Sequence, residues 1–175
     1  CGAVLSHGAM VARREALLDV GGYRDVAWAE DEDLFLRLLA GGKRLAKVPE
    51  VLYEWQEHPR RTTRVDPRLG HGRLRAMRAR FLLRGPLAGA RRVALWSVAR
   101  LGAQWAAALE GLGLEVDLVE VSPRSVRGPG GQGRLPALPQ APLVVAYGAP
   151  RARATVASRL DEAGFVVGED YWLVA

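Results

Sequence analysis

Apolar residues recur along this chain at two different spacings, and the change from one to the other divides it. In the first half the spacing is helical and the stretches are short. Arg13-Arg14-Glu15-Ala16-Leu17-Leu18-Asp19-Val20 predicts a short helix stopped by Gly21-Gly22. Leu34 and Leu38, and Phe35 and Leu39, stand four apart and share ridges of a second helix. Gly41-Gly42 ends it, because glycine enters the left-handed backbone region without steric cost. A third helix is predicted over residues 68–83. Leu74, Met77 and Phe81 form its narrow apolar stripe, set among Arg73, Arg75, Arg78, Arg80 and Arg84. Residues 3–12 read as extended. Residues 44–48 and 51–55 read as short strands about Pro49-Glu50. Residues 56–64 are polar and basic, and Pro59 excludes a continuing strand.

Past Gly85-Pro86-Leu87-Ala88-Gly89 the pattern changes. Apolar runs at 92–96, 142–147 and 171–174, and the valines and leucine of 115–121, predict strands. Residues 102–112 and 150–163 predict helices, and the Gly- and Pro-rich stretch 122–140 predicts mostly loop. Strands alternating with helices imply a parallel sheet with crossover connections. The expected organisation is α/β throughout: residues 1–84 as one domain, 85–90 as a linker and 91–175 as a small Rossmann-like domain. Its first turn is Trp96-Ser97-Val98-Ala99-Arg100-Leu101-Gly102. A dinucleotide fingerprint places glycines where Ser97 and Ala99 stand, so only Gly102 fits, and Ser122 stands where a ribose-binding acid is expected. NAD is therefore not expected. A nucleotide pocket at Tyr147-Gly148-Ala149, after the third strand, is one expectation, and a degenerate module that only packs or docks is the other.

Charge and composition narrow this little. The formal charge is +6, almost all from arginine, with Lys only at Lys43 and Lys47. The basic residues are scattered rather than interleaved with aromatics, so nucleic acid is not an expected partner. The Arg-rich helix reads as a solvated helix packed by one edge, with anionic lipid headgroups or a lipid phosphate as the alternative contact. A single cysteine, Cys1, allows no internal disulfide and fits a reducing compartment. No apolar run approaches the roughly 20 residues that span a bilayer, and no secretory signal is seen. The expected location is cytoplasmic, with the inner face of the membrane as a variant of it. The chain opens without Met inside an apolar run, which leads to the expectation of a fragment cut within a domain.

Four carboxylates, Glu30-Asp31-Glu32-Asp33, precede the central helix. Helix starts attract acids because they cap free N–H groups, and that is the plain reading. Asp33 and Arg37, four apart and acid first, form a favourable pair. An ionised aspartate held at the mouth of a rigid helix is also what a general base requires.

The ordered series of residues 13–24, 30–38, Val48-Pro49-Glu50-Val51-Leu52-Tyr53-Glu54-Trp55 and His58-Pro59-Arg60-Arg61-Thr62-Thr63-Arg64 resembles the C-terminal half of a family 2 glycosyltransferase with the GT-A fold. The resemblance covers about the first 65 residues. It implies an inverting transfer of a sugar from a nucleotide-sugar donor to a hydroxyl of a glycan, lipid-linked or protein acceptor. Asp31 matches the catalytic base and Glu30 its neighbour. Gly22 and Tyr23 lie on the acceptor side. His58, Arg60, Arg61 and Arg64 match the loop over the donor diphosphate, where charge builds in the transition state. His58 is also a candidate metal ligand. The family's Asp-x-Asp metal motif and nucleotide-binding strands belong to the N-terminal half. The divalent metal, Mg or Mn, is thus expected mainly from outside this chain, and the chain alone is expected to be inactive. Asp31-Glu32-Asp33 has the Asp-x-Asp pattern but sits at the acceptor-side helix, so it is not read as the metal motif. The later domain is similar, more distantly, to Rossmann-like modules attached to bacterial sugar-modifying enzymes. The competing function is a non-catalytic nucleotide-binding or docking module with a remnant transferase segment.

Overall fold

The computed structural model describes residues 6–54, 56, 59–60, 62–127 and 133–174. The chain divides into two compact units, Gly2–Met77 and Arg78–Ala175.

The first unit begins with a 3₁₀ turn, His7–Ala9, followed by α1 (Arg14–Asp19) and α2 (Glu30–Ala40). Both helices end as their glycine pairs require. Gly21 and Gly42 adopt φ of 79° and 70°. The Gly22 N–H reaches the Leu17 carbonyl and the Lys43 N–H reaches the Leu38 carbonyl, which closes each last turn. Leu34, Phe35 and Leu38 are buried and pack with Met10, Ala16, Leu17, Val20 and Leu45. The predicted strands at 44–48 and 51–55 do not form; residues 44–54 are coil, and Trp55 lies outside the described residues. A strand needs a neighbour to take its backbone groups, and no strand of this unit is present among the described residues. Val48, Val51 and Leu52 are accordingly exposed.

The polar stretch expected to be loop carries a short helix, α3 (Thr62–Val65). The next helix is preceded by a 3₁₀ turn, Pro67–Leu69, which Asp66 caps by accepting from the Arg68 N–H at 2.8 Å. The helix itself, α4, runs His71–Arg84, and the division between the two units falls within it. On its expected stripe Met77 is buried, while Leu74 and Phe81 are half-buried.

The second unit is an α/β fold around a four-stranded parallel sheet of order β2-β1-β3-β4. The strands are β1 (Arg92–Ser97), β2 (Glu115–Glu120), β3 (Leu143–Ala146) and β4 (Tyr171–Val174). The helices are α5 (Ala99–Glu110), α6 (Pro123–Arg127) and α7 (Pro150–Glu162). The two central strands are apolar over Val93–Trp96 and Leu143–Ala146 because both their faces are covered. Val93, Leu95, Val144 and Ala146 join Trp105 and Leu109 of α5 in one core layer. Ala94, Trp96, Leu143 and Val145 join Val126 of α6 and Val156 and Leu160 of α7 in the other. In register, Leu95 sits between Leu118 and Val144. Ala79, Leu82 and Leu87 complete the first layer. Two boundaries differ from expectation: α5 starts at Ala99 rather than Gly102, and α6 interrupts the predicted loop. Pro123 opens α6 at a position where its missing N–H costs nothing.

Candidate functional site

The acidic end of α2 separates its carboxylates by role. Asp33 points into the protein. Its Oδ2 accepts from Arg37 Nε at 2.7 Å, and its Oδ1 accepts from Trp28 Nε1 at 3.3 Å. The Arg37 guanidinium goes on to the Val20 carbonyl at 2.5 Å and the Gly22 carbonyl at 2.7 Å. Both side chains are buried, and such a pair is tolerated only when its remaining polar groups are also satisfied. The sequence expectation of an Asp33–Arg37 pair holds. The pair also has an unforeseen consequence: it ties the turn leaving α1 to α2, and so fixes where Gly22 and Tyr23 stand.

Glu30 and Asp31 remain half-buried in the first turn of α2. The N-cap position is Ala29, which has no side chain to cap with. Asp31 Oδ1 accepts from the Glu32 N–H at 2.7 Å, so one carboxylate does part of the capping work. Beside them Tyr23 shares a 2.6 Å hydrogen bond between its hydroxyl and His7 Nε2. The two rings are tilted, with centroids 5.4 Å apart. Burial, and then the negative charges of Asp31 and Glu30, push the Tyr23 phenol above its usual range and keep it protonated. Tyr53 Oη lies 2.9 Å from where a Cβ on Gly8 would stand. Two tyrosines thus approach this turn, Tyr23 at His7 and Tyr53 at Gly8.

Arg68 is held by Asp66, with its Nη2 2.7 Å from Asp66 Oδ2. That contact raises the Arg68 pKa and lowers that of Asp66, and the negative charges of Glu30 and Asp25 favour the Arg68 cation to a smaller extent. Arg73 Nη1 donates to the Ala27 carbonyl at 3.0 Å, just upstream of α2. Of the residues expected over a donor diphosphate, Arg60 is exposed, Arg64 lies exposed on α3, and His58 and Arg61 fall outside the described residues. His7, Tyr53 and Arg37 were not singled out as site residues from sequence. Only Arg37 carried a signal, its acid-first spacing from Asp33.

A metal does not fit the Asp31-Glu32-Asp33 pattern. The Asp33 carboxylate is buried and already engaged by Arg37 and Trp28. Among the described residues no group of three or more His, Cys, Asp or Glu is placed to hold a metal ion.

In the second unit the turn from β1 to α5 is tight. Ala99 adopts φ of 37°, a left-handed conformation that glycine favours. Its N–H donates to Glu120 Oε1 at 3.2 Å. The acid at the end of β2 is thus Glu120, one strand position before the Val121-Ser122 end read from sequence. Ser97 does not project into the turn: its hydroxyl is buried and donates to the Ala146 carbonyl at 2.7 Å, joining the ends of β1 and β3. Gly102 faces β1 and β2, where a Cβ would stand 3.0 Å from Leu118 Cδ1 and 3.2 Å from Ser97 Cβ. After β3, Arg153 Nη1 donates to the Tyr147 carbonyl at 2.8 Å and the Gly148 carbonyl at 3.2 Å.

No helix among the described residues is long and apolar enough to cross a membrane. No family model, curated protein or solved structure matches the chain.

Proposed function

We propose that the first unit is the acceptor side of an inverting glycosyltransferase that uses a nucleotide-sugar donor. The observation that supports this best is the separation of roles at α2. Asp33 is locked to Arg37, while Glu30 and Asp31 stay at the first turn beside Tyr23. Asp31 Oδ1 accepts from the Glu32 N–H, which holds the carboxylate at the mouth of the helix. In the reaction Asp31 takes the proton of the acceptor hydroxyl as its oxygen bonds to the anomeric carbon. The bond from that carbon to the diphosphate breaks, and its electron pair leaves with the nucleoside diphosphate. Attack opposite the leaving group inverts the configuration, and one carboxylate suffices because no covalent enzyme intermediate forms. Glu30 is its neighbour on the same first turn. In this reading His58, Arg60, Arg61 and Arg64 offset charge on the departing diphosphate. The Mg or Mn implied by the resemblance would be held by residues other than Asp33, NAD plays no part, and the enzyme works in the cytoplasm or at the inner membrane face.

Asp31→Asn in the full native polypeptide is expected to cut transfer by about a thousandfold while donor binding is retained, in the range of lost general-base catalysis. Turnover within a few fold of wild type would remove Asp31 from the role.

One observation favours a second reading, a nucleotide-binding module in the second unit. Ala99 holds a glycine-like conformation, and Gly102 permits close helix–strand packing, as in a phosphate-binding turn.

A further inference from the structure

We infer that a second copy of this chain pairs with the outer edge of β2, antiparallel and about a two-fold axis at Leu118, so that two four-stranded sheets join into one. The inference concerns the second unit alone and is independent of the transferase reading.

The sheet has two edges, and they differ. On β4 the Val174 carbonyl accepts from the Tyr147 N–H, so by alternation Tyr171 and Leu173 turn their backbone groups outward. The Tyr171 carbonyl is already taken, accepting from the Gly168 N–H at 2.8 Å. On β2 the Glu115 N–H donates to the Arg91 carbonyl and the Val121 N–H to the Ser97 carbonyl, each at 2.8 Å. By the same alternation, Val116, Leu118 and Glu120 point their backbone groups away from β1, and no backbone partner meets them among the described residues. Such an edge is a template for another strand. It also carries exposed apolar side chains, Leu118 at 43% and Val119 at 37%. Acids on an edge strand commonly guard against pairing. Here Asp117 is bound by Arg92, whose Nη2 donates to its Oδ1 at 2.7 Å, and Glu120 accepts from the Ala99 N–H at 3.2 Å.

The register follows from charge. A two-fold axis sets one residue of β2 opposite itself. Centring on Val116 puts Glu115 opposite Asp117, and centring on Asp117 or Glu120 puts an acid opposite itself. Like charges directly opposite are unfavourable. Centring on Val119 leaves Val116 with no strand residue opposite. Centring on Leu118 sets Val116 opposite Glu120 and Asp117 opposite Val119, with no acid facing an acid. Leu118 then meets Leu118 of the other copy across the axis, and the two Val119 side chains meet on the diagonal. Antiparallel pairing also sends the two β1–α5 turns to opposite ends of the shared edge. A second copy is therefore an occupant that this edge fits without opposing charge.

The test is sedimentation equilibrium on the full native polypeptide. A monomer–dimer equilibrium is expected. Leu118→Lys and Leu118→Glu should each weaken it about tenfold, because like charges then meet at the axis. An equimolar mixture of the two variants should restore the dimer, because Lys then stands opposite Glu. A loss of folding cannot produce that rescue, and circular dichroism melts establish that each variant is folded. Hydrogen exchange on the unaltered protein reads the same edge without substitution: the Val116 and Leu118 amides should exchange more slowly as protein concentration rises. A monomer at every concentration, a dimer that both variants leave unchanged, or variants that mixing does not rescue overturns the inference. So do Val116 and Leu118 amides already protected in the monomer, since the native chain then covers this edge itself.

Discussion

Arg37 donates through Nε, Nη1 and Nη2 to three acceptors on two stretches of chain: Asp33 in α2, and Val20 and Gly22 in the turn after α1. Its partner Asp33 has a second donor in Trp28. Removing one member of such a pair leaves the other charge buried and unmatched. Arg37→Leu is therefore expected to destabilise the first unit by about 3–5 kcal/mol. Replacing both residues together, Asp33→Leu with Arg37→Leu, removes both charges and should recover much of that loss. Urea denaturation of the single and double variants checks this, and a double variant no better than the single one would refute it. Spacing alone made this pair legible, because acid-first residues four apart meet on a helix. The two carbonyl contacts were not legible, since they depend on how the turn after α1 folds back over α2. For the same reason Tyr23 was placed at the site from sequence, while His7 and Tyr53 were not. Neither of those carries a local signal, and each arrives from a loop whose path is set by contacts distant in sequence.

At the scale of elements, the glycine punctuation and apolar periodicity of α1 and α2 located both helices, because their ends are fixed by backbone chemistry local to the sequence. The central strands β1 and β3 were legible as apolar runs for the opposite reason, burial on both faces, whereas the edge strand β2 is largely exposed and was legible only by its valines and leucine. The short segments expected as strands at 44–48 and 51–55 are coil where the structure describes them, and no strand lies beside them among the described residues. The turn into α5 shows a further limit. Ala99 looks like an ordinary helix former, yet its φ of 37° is one that a Cβ disfavours by about 1–2 kcal/mol. Glycine relieves that strain but loses about 0.5–1 kcal/mol to greater freedom in the unfolded chain. Ala99→Gly is therefore expected to stabilise the second unit by about 0.5–1 kcal/mol, the difference of those terms. A lower thermal midpoint for Ala99→Gly would mean that the strain is not where the backbone angle puts it. The hydrogen bond from the Ala99 N–H to Glu120 is available to either residue, so it does not confound the comparison.

For the whole molecule, the two units predict how the chain can be cut. The expected organisation placed a linker at 85–90, in a Gly- and Pro-rich stretch. Leu87 of that stretch is fully buried, and so is Ala79 of α4; together with Leu82 they share a core layer with Trp105, Leu109 and the central strands. A fragment of residues 78–175 keeps these three side chains, and a fragment of residues 91–175 loses them. Each buried leucine removed from a core costs about 2–5 kcal/mol, whereas a domain's whole stability is only about 5–15 kcal/mol. The shorter fragment is therefore expected to lack a cooperative unfolding transition, or to melt far below the longer one. The longer fragment should unfold in a single step by calorimetry. Glycine and proline mark where the backbone turns, but they do not reveal whether a leucine between them is buried. That depends on the covering of the β1–β3 face, which α5 alone does not complete. If both fragments melt alike, the end of α4 and Leu87 contribute little to the second unit, and its core closes over α5 alone.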